Sequence, residues 1–204
     1  MLRANKGFTL VELLITMAVG TAMVSATAIF AAHLSVTHQK MTLTLQLQDS
    51  LIRLATVLTR QLSHSGYDGN AMTYFHTPSS GSSEFADTLK LSHFPGEMNN
   101  SCVVFRYDHN RNGQFDAVSP NENFGFRLHE KAVEMRYNGN SCKQLGWHNL
   151  TDPNEVEVLS LHFALYSQPT QPHHRLLAVT IEAQLTRYPS ITRTISATTS
   201  IVNG

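Results

Sequence analysis

An almost unbroken apolar run occupies Phe8 to Ala32, and a single acid, Glu12, sits inside it. Arg3 and Lys6 stand before the run, with Gly7 at its edge. At about 1.5 Å rise per residue, a helix of roughly 25 residues crosses the ~30 Å hydrocarbon core of a bilayer. A carboxylate at that depth costs roughly 2.5–3.5 kcal/mol on insertion scales, so Glu12 needs a partner or a task. The cations before the run, against the neutral segment after it, predict a cytoplasmic leader and a bulk on the other side of the membrane.

A secretory signal is cut after its apolar core, at small residues. Here the small residue precedes the core, so a cut beside it would remove a short basic leader and leave the helix attached. GFTLVE, from Gly7 to Glu12, resembles the recognition motif of type IV prepilins, the superfamily of type IV pilins and type II secretion pseudopilins. The resemblance implies cleavage by a prepilin peptidase between Gly7 and Phe8, N-methylation of Phe8, and an assembly role for Glu12. The alternative is a plain signal anchor with an incidental glutamate.

The chain has 204 residues, so the portion beyond the anchor can bury one modest core. Fifteen Lys and Arg balance fifteen Asp and Glu. With no strong cationic run, a nucleic-acid partner is not expected. The eleven histidines are scattered; His173-His174 is adjacent rather than at a chelating helical spacing, and no HExxH is present. Without a GxSxG, a P-loop or paired catalytic carboxylates, the sequence reads as non-enzymatic.

The helix pattern continues past the apolar run. Val36 to Leu62 contains no Gly or Pro, and Leu43, Leu47, Leu51, Leu54, Leu58 and Leu62 recur at steps of four or three. That stripe predicts an amphipathic helix face against the chain's own domain. Asp49 and Arg53 form an i, i+4 pair on another face. The first breaker is Ser65-Gly66, so one helix is expected from about Phe8 to about Ser63.

Residues 66–100 read as loop-rich, with a short strand at Thr88–Leu91 and an exposed tip at Thr77–Ser83. Strands are expected at Cys102–Tyr107, at Phe124–Leu128 with Ala132–Tyr137 as a hairpin, and along the alternating Leu159, Leu161, Phe163, Leu165. A further strand carries Leu177, Val179, Ile181, Ala183 and Leu185 on one face and Thr180, Glu182, Gln184 and Thr186 on the wetter one. Tyr188-Pro189-Ser190 reads as a turn before a final strand, Ile191–Ile201.

LTRQLSHSGYDG, CVVFRYDHNRNGQFD, FGFRLHEKAVE and SCKQLGWHNLTDP resemble segments of the minor pilin-like group of prepilin peptidase-dependent protein B, related to PilW minor pilins and J-type pseudopilins. This implies an α+β, type IV pilin-like fold: a long N-terminal helix, membrane half then amphipathic half, packed on an antiparallel β-sheet domain. The expected organisation is a leader over 1–7, a transmembrane and assembly helix over 8–32, its amphipathic continuation over 33–63, and a periplasmic β-rich domain over 66–204. The implied function is a minor pilin that helps initiate or cap a type IV pilus. The alternatives are a J-type pseudopilin of a type II secretion system and a pilus-tip binding module or adhesin. The implied partners are the prepilin peptidase, other minor pilins, the major pilin and the inner membrane.

Outside an inner membrane the compartment is oxidising, so Cys102 and Cys142 are expected to pair. Such a bridge is worth ~4 kcal/mol in the chain-entropy picture. Trp147 reads as a core or rim aromatic near it. The stretch DHNRNGQFD places Asp108, Asn110, Asn112 and Asp116 at positions 1, 3, 5 and 9 of a calcium loop, with Gly113 at the sharp turn and Gln114 offering its carbonyl. Position 12 is Ser119 rather than the bidentate Glu, and Glu122 comes three residues late, so any calcium site here is expected to be weak. The alternative is an Asx-rich turn whose side chains bond their own backbone.

Overall fold

The computed structural model describes residue 7 and residues 9–76, 83–168 and 171–201. The first helix, α1, runs Leu10–Leu62. It opens on Thr9, whose hydroxyl accepts a hydrogen bond from the Glu12 N–H, and it closes where Gly66 takes a left-handed φ of 77°, which glycine adopts without a Cβ penalty.

Two compact units divide the chain, residues 1–43 and 44–204. In the first, α1 is exposed on all sides through Met41. It is long and apolar enough to cross a membrane. Its hydroxyls bond back to their own helix: Thr16 to the Leu13 carbonyl at 2.9 Å, Thr21 to Ala18 at 3.0 Å, Ser25 to Thr21 at 2.8 Å and Thr27 to Val24 at 2.9 Å. Such bonds leave no side-chain hydroxyl to be solvated, the condition for burial in hydrocarbon.

In the second unit, Leu47, Leu51, Leu54, Ala55, Leu58 and Leu62 of α1 are buried. This is the expected stripe, with Ala55 added and Leu43 only half-buried. A short helix, α2 (Ala71–His76), comes next, inside the stretch read as loop. It starts because Asp68 caps it: Asp68 Oδ1 accepts from Asn70 N at 2.7 Å, and the Asp68 carbonyl accepts from Ala71 N. Most of the expected tip at Thr77–Ser83 lies outside the described residues.

All strand pairs are antiparallel, but they form two sheets rather than one. The first has the order β1 (Lys90–Ser92), β2 (Cys102–Arg106), β3 (Asn123–His129), β4 (Ala132–Met135), β5 (His148–Asn149). The second has the order β6 (Val156–Gln168), β7 (Gln171–Leu185), β8 (Tyr188–Ile201). β6 lies against β2, β3 and β4, and two bonds tie the sheets, Phe163 N to the Asn100 carbonyl and Val158 N to the Lys131 carbonyl, both 2.9 Å. Val103, Phe105, Phe126, Leu128, Val133, Leu161, Phe163, Leu177, Val179 and Ile181 are among the other buried apolar residues.

Three local expectations shift. β1 begins at Lys90 rather than Thr88, because the Thr88 hydroxyl itself accepts the Arg106 N–H at 3.1 Å. In β6, a bulge between Val158 and Ser160 buries Val158 and leaves Leu159 41% exposed, so the alternation read through Leu159 breaks there. The last turn is Thr186-Arg187, with Leu185 paired to Tyr188. Pro189, which has no N–H to give, falls in the register shift of edge strand β8.

Candidate functional site

At the start of α1, Glu12 and Thr9 cap each other. Glu12 Oε2 accepts from the Thr9 N–H at 3.4 Å and from the Thr9 hydroxyl at 3.3 Å, while the Glu12 N–H donates to Thr9 Oγ1 at 3.3 Å. The T-x-x-E spacing produces this reciprocal capping box and satisfies donors that the first turn would otherwise orphan. It also fixes the one intramembrane-type carboxylate at the positive end of the helix dipole. Gly7 is exposed, and nothing lies within 4 Å of the position a Cβ would take. Phe8 lies outside the described residues. The arrangement can present an open glycine, Gly7, five residues before the held carboxylate of Glu12.

In the β-rich unit, a disulfide joins Cys102 at the start of β2 to Cys142, with Cα atoms 6.1 Å apart. Trp147 packs with the two cysteines in one buried cluster, and its ring N–H donates to the Ser141 carbonyl at 3.2 Å. Beside them lies a centre that the sequence patterns did not reveal. Arg127 of β3 is 1% exposed. Its Nε donates to Glu134 Oε2 at 2.6 Å, and its Nη1 to the carbonyls of Cys142 at 2.8 Å and Gln144 at 2.6 Å. The guanidinium stands 4.6 Å from the Trp147 ring and 4.8 Å from the Phe94 ring. The other Glu134 oxygen meets His129 Nδ1 at 3.1 Å. Arg127 and Glu134 are direct cross-strand partners. The signal available in the sequence was two opposite charges seven apart across a Glu-Lys turn, both on the face opposite the apolar Phe126, Leu128 and Val133.

The DHNRNGQFD loop is closed by its own hydrogen bonds. Asp108, 1% exposed, accepts from Gly69 N at 2.9 Å, Asn112 N at 3.2 Å and Gly113 N at 2.7 Å. Asn110 Oδ1 accepts from Asn112 N, and Asn112 Oδ1 from Gln114 N. Asp116 Oδ2 accepts from the side-chain nitrogens of both asparagines at 2.9 Å. Glu122, buried, ties the loop ends by accepting from His109 N at 2.8 Å and Asp116 N at 2.9 Å. Gly113 has φ 71°, and a Cβ there would collide with the Asn70 amide. Thus Asn110, Asn112 and Asp116 are brought together, while Asp108 is turned to backbone donors. Among the described residues, no group of three or more His, Cys, Asp or Glu is placed to hold a metal ion. Next to the loop, burial and then the Glu122 charge push the Tyr107 phenol up. The neutral phenol donates to Gln61 Oε1 at 3.2 Å.

Comparison with known proteins places these features. Residues 2–28 match the prokaryotic N-terminal methylation motif, and residues 40–201 match the family described as prepilin peptidase-dependent protein B. The chain belongs to the prepilin peptidase-dependent protein B family. The protein of that name from Escherichia coli (strain K12) is 26% identical over 156 residues, covering 76% of this chain and 74% of that protein. No solved structure matches. The prepilin peptidase-dependent protein B match runs from within α1 to the end of β8 and takes in Cys102, Cys142, Arg127 and Glu134. The family is one of pilin-like structural proteins, and the methylation motif covers Gly7, Thr9 and Glu12.

Proposed function

We propose that the chain is a minor pilin, a structural subunit that helps initiate or cap a type IV pilus together with other minor pilins. The observation that carries this reading is the methylation motif over residues 2–28 continuing directly into an apolar helix long enough to span a bilayer. In this reading residues 1–7 are a leader removed by prepilin peptidase, and 8–32 form the transmembrane and assembly segment. Residues 33–63 continue the helix, and 66–204 form the periplasmic domain. The inner membrane holds the subunit until it joins a fibre.

The physical mechanism rests on the helix start. Cleavage would create an amine at Phe8, a cation at the positive end of a helix dipole, where it is disfavoured. The Glu12 carboxylate can neutralise such a cation, on its own chain or a neighbour's, and in a low-dielectric setting an unpaired charge of either sign is costly. Pairing between subunits would then set the axial register, while apolar helix packing supplies cohesion and the β-rich domain selects neighbours. The test is Glu12→Ala in the native host. It should leave membrane insertion intact, since it removes an intramembrane charge, and should abolish recovery of the protein with other minor pilins. Unchanged piliation and unchanged co-purification would reject the assembly role.

A further inference from the structure

We infer that the cleft between the end of α1 and the segment Tyr107–Arg111 binds carboxylates of an acidic segment on a partner protein. The cleft encloses about 610 Å³ and is walled by Arg60, His64, Tyr67, His109 and Arg111, with Tyr107 and Asp108 beneath. Its size falls in the range of sites that hold a few residues of peptide.

The charge on its walls is unspent. Arg60 and Arg111 are exposed, and among the described residues neither guanidinium has an ion-pair partner. Asp108 is the one carboxylate in the wall, and its two oxygens are filled by three backbone N–H donors, so it offers the cleft no free acceptor. The His64 and His109 rings lie against Tyr107, at 5.3 and 5.8 Å between centroids.

Cations at a helix C-terminus have an ordinary explanation, since they complement its negative end. That accounts for Arg60. It does not account for Arg111, which arrives with the His109 ring from a different segment. The DHNRNGQFD loop explains how they get there: Asp108, Asn110 and Asn112 spend their oxygens on closing the turn, and the residues between them line the cleft. The loop is docked on the segment after α1 through Gly69 N to Asp108 and through Asp108 N to the Tyr67 carbonyl at 2.8 Å. The Arg111 fork is thereby presented on a pre-closed turn, lining the same cleft as Arg60 from the last turn of α1, and two such forks suit bidentate carboxylate contacts.

A protein acid fits better than a nucleic acid. A polyanion needs a track of cations to release counterions along its length, whereas here the chain is balanced at 15 basic and 15 acidic residues and the cleft itself offers Arg60 and Arg111 at one place rather than along a track. That the partner belongs to the same fibre rests on the minor pilin reading; the binding itself does not.

The test uses the full chain in detergent micelles and a fluorescein-labelled peptide of alternating Asp and Glu, read by fluorescence anisotropy at low salt. Saturable binding is expected, weakened about tenfold or more in Arg60→Ala/Arg111→Ala, because charge-assisted contacts are worth that much each. Lys143→Ala, an exposed cation outside the cleft, should bind as the wild type does. Trp147 fluorescence reports that each variant is folded, and Arg111→Glu repeats the test by reversing a charge rather than truncating. No saturable binding up to about 2 mM peptide, equal binding by the double variant, or tighter binding of an oligothymidylate of about 12 nucleotides than of the peptide would overturn the assignment.

Discussion

Glu134→Ala should be among the most damaging single changes in the β-rich unit. The Arg127 guanidinium is 1% exposed, so its charge is compensated by what surrounds it: the Glu134 carboxylate at 2.6 Å, the carbonyls of Cys142 and Gln144, and two aromatic faces. Removing Glu134 leaves two carbonyls and two rings to hold a full charge in a dry site. Breaking a buried pair in this way costs roughly 3–5 kcal/mol. The carbonyls and rings remain, so the lower half of that range is expected. His129 also loses its partner, but it is half-buried and adds little. For a unit of this size each kcal/mol moves the melting temperature by about 2–4 °C, so a fall of about 10 °C is expected. The chain has one tryptophan, and it is Trp147, over the affected guanidinium. Urea unfolding of the full chain in micelles, monitored by tryptophan fluorescence, therefore reads the site itself. Replacing both partners by apolar residues, Arg127→Met with Glu134→Leu, should cost less than Glu134→Ala alone, because no charge is stranded. A loss under about 1 kcal/mol for Glu134→Ala, or a double variant weaker than the single by the full sum, would refute the reasoning.

The same geometry sets other outcomes. Gly7→Glu, expressed with the native peptidase, should keep residues 1–7 on the chain, as read by intact mass, while the wild type loses them. Cys102→Ser should lower stability by about 3–4 kcal/mol, and non-reducing peptide mapping should find Cys102 and Cys142 in one linked fragment; free thiols in periplasmic material would contradict it. Calcium at about 10 mM should leave the melting temperature unchanged, because the Asp108, Asn110 and Asn112 oxygens already accept from the loop's own N–H groups; a rise of a few degrees that Asp116→Asn removes would instead reveal a weak extracellular-type site. Hydrogen bonds from Lys131 and Gln184 hold the Glu157 carboxyl below its ordinary 4.5. Its contribution is therefore present at neutral pH and lost as pH falls through that depressed value, so Lys131→Ala should matter at pH 7 and become silent in stronger acid.

What was legible in the sequence was whatever repeats. The leucine stripe and the period-2 strand of Leu177 to Ala183 each encode a face by position alone, and both are found. The misplacements share one cause, a side chain or an extra residue doing the work of backbone pairing. The Thr88 hydroxyl took a ladder bond, a bulge turned Leu159 outward, and Asp68 capped a helix amid Gly, Ser and Asn. Periodicity carries no information about such substitutions, because they depend on which segment lies opposite.

The same limit governs the functional regions. Asp108, Asn110 and Asn112 were conspicuous as alternate oxygens, and they do act as a set, but on the N–H groups of Gly69, Asn112, Gly113 and Gln114. Gly69 lies 39 residues before Asp108, beyond any motif window. Once those oxygens are committed inward, the residues interleaved with them must face the other way, which is how His109 and Arg111 come to meet Arg60 and His64. A pattern first read for its polar oxygens thus has its freest charge on the residues between them, and only the fold, by ending α1 beside that loop, brings the two sources of cation to one cleft.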